Sequence, residues 1–526
     1  MTKAGSKKVR NILFIMCDQL RADYLSCYGH QTLATPHIDS LAARGVRFER
    51  AYTQSPNCGP ARASFYSGRY VFSHGATWNF IPLPAGEQTL GDYLRPAGMR
   101  CAVVGKTHMY ADGEGMARLA IARDSERGRY LAEAGFEPYE RDDGVHPDRR
   151  VPPHLAYNAY LRGLGMTGDN PWHTWANAGT DEAGNIASGW YFRNAHRPTR
   201  APDEHGETAY MTRRAMDFIQ EQGEQPWMLH LSYIKPHWPY IAQAPYHNMY
   251  KREDVQAPIR SAAEREDVHP VYRGYRAHPE GVAFSRDADR FNVIPAYMGL
   301  VKQVDDYIGK LLDFLKEQGR LDDTMIVFTA DHSDYLGDHW LGEKEFMYEQ
   351  GVRIPLIVTD PSAPQTHGTT SKALVEAIDL VPTFIETMGL PVPYHWLEGK
   401  SLRPLLDGTA QSVREAAISE LDYAIYGAAR ALKLQPRQAR MVMARSERYK
   451  YIHYDGLPPQ LFDLANDPDE LHDLGRYAAY ATVRDEHLGF IFDWMRQRRN
   501  RTTISDEAIM QRATPAAAGG VTIGEW

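Results

Sequence analysis

Residues 325–339 read MIVFTADHSDYLGDH, an apolar, β-branched run that stops at a carboxylate and an imidazole, Asp331 and His332. A short unbroken run bounded by charge fits a strand buried on both faces, the kind that parallel sheets contain. The pattern recurs at 11–17, 101–104, 227–233 and 354–358. Between these runs, apolar residues at three- and four-residue spacing predict helices over 37–44, 208–222, 295–318 and 372–388. Such alternation predicts an α/β fold, with a large, mainly parallel sheet flanked by helices on both faces. Sites in open sheets of this kind gather at the carboxyl ends of strands. Asp18, Lys106 and Asp331 all stand just beyond predicted strands.

Two of those ends carry paired donors, Asp18-Gln19 and Asp331-His332. Two carboxylates, an amide oxygen and an imidazole together suit a divalent cation. Taken singly, an aspartate at a strand end reads more readily as a helix cap, and it is the four donors together, beside a nucleophile motif, that favour an ion.

A third feature is Cys58-Gly59-Pro60-Ala61-Arg62. Pro60 suits the first position of a helix predicted over 61–69, because its missing N–H would have had no partner there. Position 58 then lies at a helix start, where free N–H groups and the dipole favour an anion. Arg62, four residues on, falls on the same face. A sulfate or phosphate bound there would meet a sulfur nucleophile and a counter-charge together, although five residues alone also fit a buried cysteine in a turn.

Composition narrows the alternatives. The chain has 526 residues, enough for a large core and an appended smaller domain. Hydrophobic residues at 43% and charged residues at 24% are those of a globular protein, and a net charge of −8 argues against a nucleic-acid surface. Four cysteines, all in the first fifth, make no disulfide framework and point to a reducing, cytoplasmic setting. The run after the basic start is too short for a signal-peptide core, and no run approaches the ~20 apolar residues of a membrane span.

A catalytic unit is expected over 1–415, with a weakly periodic insertion over 110–206 lying across the site. A small C-terminal α+β domain is expected over 416–498, with strands at 440–444 and 449–454 and a helix near 484–498. The stretch 499–526 reads as a loose tail or an oligomerisation arm. A dimer or tetramer is the expectation from the tail and by analogy.

Read in order, NILFIMCDQLRADYLSCYG (11–29), CGPARASFYSGRY (58–70), GKTH (105–108), KPHWPY (235–240) and TADHSDYLGDHWLGEKEFMYEQGVRIPLIV (329–358) resemble the formylglycine-dependent sulfatases and the related phosphonate monoester hydrolases of the alkaline phosphatase superfamily. YKYI (449–452), LFDL (461–464) and DPDE (467–470) resemble the sulfatase C-terminal domain. The resemblance implies an alkaline phosphatase-like fold. It also implies one divalent ion, Mn2+ or Ca2+, held by Asp18, Gln19, Asp331, His332 and the modified Cys58. Cys58 would be oxidised to 3-oxoalanine (formylglycine) by a formylglycine-generating enzyme, and its hydrate would attack the ester through a covalent sulfo-enzyme hemiacetal. By the same resemblance Arg62 holds the formylglycine and Lys106 and His108 flank it. His237 and Lys344 face the ester oxygen and leaving group, and Asn79 joins the substrate contacts.

Two departures matter. Many sulfatases have aspartate where this chain has Gln19 and asparagine where it has His332, and a nitrogen donor with one carboxylate fewer shifts the expectation towards manganese. Those two residues are as in the phosphonate hydrolases, whereas Lys106-Thr107-His108 is sulfatase-like. The expected activity is hydrolysis of small-molecule sulfate esters, arylsulfatase-like. The alternative is a phosphonate monoester or phosphodiester hydrolase with the same site, and a protein that binds a metal or anion on this scaffold without catalysis is a third class.

Overall fold

The structure, a computed structural model, describes residues 8–79, 81–148, 151–152, 154–498 and 503–512. Its central sheet takes in all five expected strands. In chain order these are β1 (Asn11–Asp18), β3 (Arg100–Gly105), β7 (Trp227–Pro236), β8 (Thr324–Ala330) and β9 (Arg353–Thr359). They are joined by β2 (Val46–Tyr52), β4 (Glu137–Arg141) and β10 (Thr369–Glu376), while β5 (Ala178–Thr180) and β6 (Ile186–Ser188) pair separately as a hairpin. The order across the eight strands is β10-β2-β9-β8-β1-β7-β3-β4. Only β9 runs against its neighbours. The carboxyl ends of β2, β8, β1, β7 and β3 therefore share one edge.

β1 and β7 are buried along their whole length, as strands covered on both faces must be. Helix Glu207–Gln222 packs on β7 and on the long helix Asp287–Glu317, which in turn meets Pro36–Ala43. A second group, Cys58–Ser67 and Leu380–Thr387, packs together, and the Phe14 ring of β1 meets Phe65 and Phe384 at 6.0 and 5.8 Å.

Several local expectations change. The helix expected over 372–388 is β10 followed by Leu380–Thr387, because 369–376 is taken up by parallel pairing with β2. Helix Asp287–Glu317 starts before the expected residue 295 and carries Pro295 inside it, among fully buried neighbours. The nucleophile helix starts at Cys58, with Asn57 as N-cap, and ends at Ser67, where Gly68 takes the left-handed conformation (φ 69°). Pro60 is thus its third residue, which is tolerated because the first four N–H groups of a helix have no internal partner. The stretch 110–206 is built rather than featureless, and it supplies β4 to the central sheet.

The C-terminal region forms a four-stranded antiparallel sheet, β11 (Ala417–Asp422), β12 (Arg440–Arg445), β13 (Tyr449–Tyr454) and β14 (Gln460–Asp463), with helix Ala481–Arg496 on β12 and β13. In the last stretch a helix spans Asp506–Arg512; the ATPAAAGG segment lies outside the described residues. All four cysteines are free thiols. Among the described residues no helix is long and apolar enough to cross a membrane.

This sheet is tied to the first through Lys450 of β13, whose Nζ lies 2.8 Å from both Glu349 Oε1 and Glu470 Oε1, fully buried. Removing the cation leaves a buried and a part-buried carboxylate beside each other without their counter-charge. Lys450→Met should cost about 3–5 kcal/mol in urea unfolding; an unchanged midpoint would show that the triad does not hold the two sheets together.

Candidate active site

Strand register places the two aspartates. Cys17 of β1 stands opposite Ala330 of β8, so Asp18 and Asp331 emerge side by side at the strand ends. Gln19 then turns away in the left-handed region (φ 62°), and its N–H donates to Asp331 Oδ1 at 3.1 Å. The His332 Nδ1 lies 3.0 Å from the Ser333 carbonyl. A carbonyl only accepts, so Nδ1 carries the proton and Nε2 presents its lone pair to the cluster. That Nε2 is 3.8 Å from Asp18 Oδ1, 3.7 Å from Asp331 Oδ2 and 3.0 Å from Cys58 Sγ.

One ligand atom from each of Asp18, Cys58, Asp331 and His332 lies within 4.8 Å of the others, and all four residues are buried. Two carboxylate oxygens and an imidazole lone pair converging without water fit a divalent cation. Gln19 Oε1 is next to this group, accepting from Lys344 Nζ at 3.0 Å.

The cysteine is brought in by its own helix. Gly59 N–H donates to Asn79 Oδ1 at 2.8 Å, and a Cβ on Gly59 would lie 2.7 Å from the Asn79 backbone, which is why glycine follows the cysteine. Asn79 therefore braces the first turn of the nucleophile helix. Lys344 Nζ reaches Cys58 Sγ at 3.2 Å.

Arg62 differs from expectation in what it touches. Its Nε donates to Asp331 Oδ2 at 2.8 Å, and Nη1 donates to the Lys106 carbonyl and Ser232 Oγ at 2.7 and 2.8 Å. The remaining Nη2 is buried, 3.6 Å from Asp18 Oδ2, and has no hydrogen-bond partner. Arg62 thus orients the carboxylates with most of its fork and keeps one N–H group for something else. Lys106 Nζ sits on Asp18 Oδ2. Gly105 before it has φ 105°, and a Cβ there would strike the Ser232 carbonyl of β7.

The local field follows from these contacts. Burial alone would raise the Asp18 carboxyl, but the cations Lys106, Arg62 and Lys344 hold it well below the usual carboxylate range. Burial opposes charge on Lys106 and Lys344, yet Asp18 raises the first and the Cys58 sulfur raises the second. Both remain ammonium groups. Burial pushes His332 and His237 down, so both rings are neutral near pH 7. His237 Nδ1 lies 2.7 Å from the Trp238 carbonyl and so carries the proton, leaving Nε2 as an acceptor. It can donate to a leaving oxygen only after taking up a proton.

His108 is held apart. Its backbone N–H donates to Asp143 Oδ1 at 2.9 Å, and among the described residues no hydrogen bond or ion pair joins its ring to the cluster.

Sequence reasoning missed an inner layer. Asp334 Oδ2 accepts from Gln19 Nε2 at 2.5 Å and Tyr240 Oη at 2.6 Å, and Glu343 Oε2 accepts from Trp238 Nε1 at 2.8 Å. Burial raises the Glu343 carboxyl to about 8. Asp334 stands within the same motif as Asp331, Glu343 beside Lys344, and Tyr240 at the end of the KPHWPY motif; Ser232 carried no signal beyond its strand. Gln19, His108, Glu343 and Glu345 all have positive φ, a conformation that costs about 1–3 kcal/mol at a non-glycine residue and gathers at functional sites.

Comparison with known proteins agrees with this geometry. The family model for sulfatase matches residues 10–390, and that for the C-terminal region of N-sulphoglucosamine sulphohydrolase matches residues 337–490. The chain is 31% identical over 520 residues to the multifunctional alkaline phosphatase superfamily protein PehA of Trinickia caryophylli, spanning 94% of this chain and 96% of that one. It is 28% identical to the choline-sulfatase of Rhizobium meliloti, spanning 88% and 82%. The solved phosphonate monoester hydrolase of Agrobacterium radiobacter aligns with a TM-score of 0.81 at 28% identity, over 95% of this chain and 99% of that one. With the Cys58 helix beside paired strand-end carboxylates, a family match over residues 10–390 makes this chain a member of the sulfatase family, the sulfuric ester hydrolases of the alkaline phosphatase superfamily.

Proposed function

We propose that the protein hydrolyses small-molecule sulfate esters, with a formylglycine made from Cys58 by a formylglycine-generating enzyme as nucleophile. The supporting observation is the position of Cys58 Sγ, 3.0 Å from His332 Nε2 and 3.2 Å from Lys344 Nζ, inside the Cys-X-Pro-X-Arg signature. Asp18, Asp331 and His332, with Gln19, would hold a divalent ion, and the nitrogen donor favours manganese over calcium. Such an ion supplies Lewis-acid polarisation of the ester oxygens and of the nucleophilic hydroxyl. An aldehyde hydrate at position 58 supplies two hydroxyls, one to attack and one whose deprotonation releases the product by C–O cleavage.

The residues of the chain set the rest of the barrier. Lys344 and Lys106, both charged and buried, offer N–H donors whose effect on developing negative charge is large where water is excluded. Arg62 Nη2 keeps one N–H uncommitted beside Asp18. His237 Nε2, with its lone pair free, can take a proton at that atom and pass it to the leaving oxygen. His108, which extends from the same loop as Lys106, is the remaining candidate base.

A second reading, hydrolysis of phosphonate monoesters or phosphodiesters, is favoured by Gln19 and His332. It is also favoured by the TM-score of 0.81 to a phosphonate monoester hydrolase, against 0.67 for a glucosamine-disulfate complex structure. Both reactions put a tetrahedral oxyanion in the same place, so activity on both is expected.

Mass spectrometry of the peptide around Cys58 should show a loss of about 18 mass units in protein made with the converting enzyme, and Cys58→Ala should lower kcat at least about 1,000-fold with an unchanged circular dichroism spectrum. Full activity in the alanine variant would refute the assignment. Chelation should lower the melting temperature, and Mn2+ at 100 times its dissociation constant should restore about 2.7 kcal/mol to wild type but not to Asp331→Asn. A melting temperature indifferent to chelator and metal would remove the ion from the site. Finally, kcat/KM should be higher for a nitrophenyl sulfate than for a nitrophenyl phenylphosphonate, with both measurable; the reverse order establishes the second reading.

A further inference from the structure

The loop 106–109, which carries Lys106 and His108 away from β3, takes its shape from β4. Between these strands Val103 stands opposite Pro138, Val104 opposite Glu140 and Gly105 opposite Arg141. Tyr139 is the extra residue, a bulge of the kind that re-aims side chains beside active sites. Without it Glu140 would face Gly105. The slip brings Arg141 to the root of the loop instead.

The Arg141 guanidinium reaches three partners. Nε donates to Glu133 Oε2 at 2.7 Å, Nη1 lies 2.7 Å from Asp143 Oδ2, and Nη2 donates to the Met109 carbonyl at 3.3 Å. Both carboxylates pass the constraint on. Glu133 Oε2 accepts from Thr107 Oγ1 at 2.5 Å, and Asp143 Oδ1 accepts from the His108 N–H at 2.9 Å. Thr107, His108 and Met109 are therefore all tied to one cation. His108 is held at φ 56°, and its Nδ1 is buried without a partner. An imidazole kept in a costly backbone conformation, with a polar atom unpaired, is a group held for something that binds.

We propose that Arg141 is a positioning residue which, through Glu133 and Asp143, fixes the loop 106–109 so that Lys106 and His108 present their polar atoms to the tetrahedral oxyanion. This rests on the sulfate-ester reading above. A planar fork can serve three acceptors in fixed directions, and the flexible point charge of lysine cannot.

The test compares wild type with Arg141→Lys, Arg141→Met, Asp143→Ala, His108→Ala and the His108→Ala/Arg141→Met double variant. The readouts are the dissociation constant of inorganic sulfate by calorimetry, kcat/KM on nitrophenyl sulfate, and the metal and aldehyde content of each protein. Arg141→Met and Asp143→Ala should each weaken sulfate binding about tenfold at unchanged metal and aldehyde content, with Arg141→Lys intermediate. In the His108→Ala background, Arg141→Met should add less than about twofold, because coupled residues are not additive. Unchanged sulfate binding in both single variants, or a full multiplicative loss in the double variant, overturns the proposal. If Arg141→Met does not fold, Asp143→Ala decides the question, since it leaves the sheet edge intact. Sulfate binding is read without turnover, so wild type that binds sulfate but cleaves no ester counts against the hydrolase reading alone.

Discussion

Two carboxylates, Asp18 and Asp331, are set side by side at the ends of adjacent parallel strands, both fully buried. Left alone, such a pair would repel strongly, because burial removes the screening that makes like charges tolerable at a surface. Around it the structure places Arg62 on Asp331, Lys106 on Asp18, and Lys344 on the facing cysteine. The nucleophile helix, the β3 loop and the segment between β8 and β9 all converge because each brings a cation or a donor to this pair.

That arrangement explains why so much backbone near the site is unusual. Gly105 is a glycine because the β7 backbone lies where its side chain would go, and Gly59 because Asn79 must reach the helix start. Gln19 leaves β1 in the left-handed region, so its N–H can turn back to Asp331 while its side chain meets Lys344 and Asp334. Strain at these positions is sustained by the surrounding buried hydrogen bonds. It yields a site whose donors are aimed before any ester arrives, the condition under which fixed dipoles lower a barrier most.

Support for the site comes both from its motifs and from outside them. Ser232 is an ordinary strand residue, yet it receives one arm of Arg62; Tyr240 and Asp334 together hold the Gln19 amide. β4, within a stretch that looks irregular in sequence, contributes Arg141, and the chain on either side of it contributes Glu133 and Asp143, which bond to the basic loop. The C-terminal sheet is joined to the same region through Lys450 and Glu349.

Read alone, the sequence determined the five buried strands, the sheet class and the residues that end those strands, because unbroken apolar runs and strand-end charges are local patterns. It also displayed the Cys-X-Pro-X-Arg motif, since a cysteine, proline and arginine at fixed spacing fall within about one helical turn. Pairing was beyond its reach. Residues 372–376 looked helical because their apolar spacing continues into that of the helix after them, and only the edge of β2 selected extended backbone. The helix start at Cys58 was displaced by two residues because a proline is tolerated throughout the first turn. Tertiary structure alone decided that Arg62 reaches the Asp331 carboxylate, that His237 carries its proton on Nδ1, and that Arg141 reaches the loop of His108. Those contacts depend on which groups meet across tens to hundreds of residues of chain, and burial, not local spacing, sets what each meeting costs.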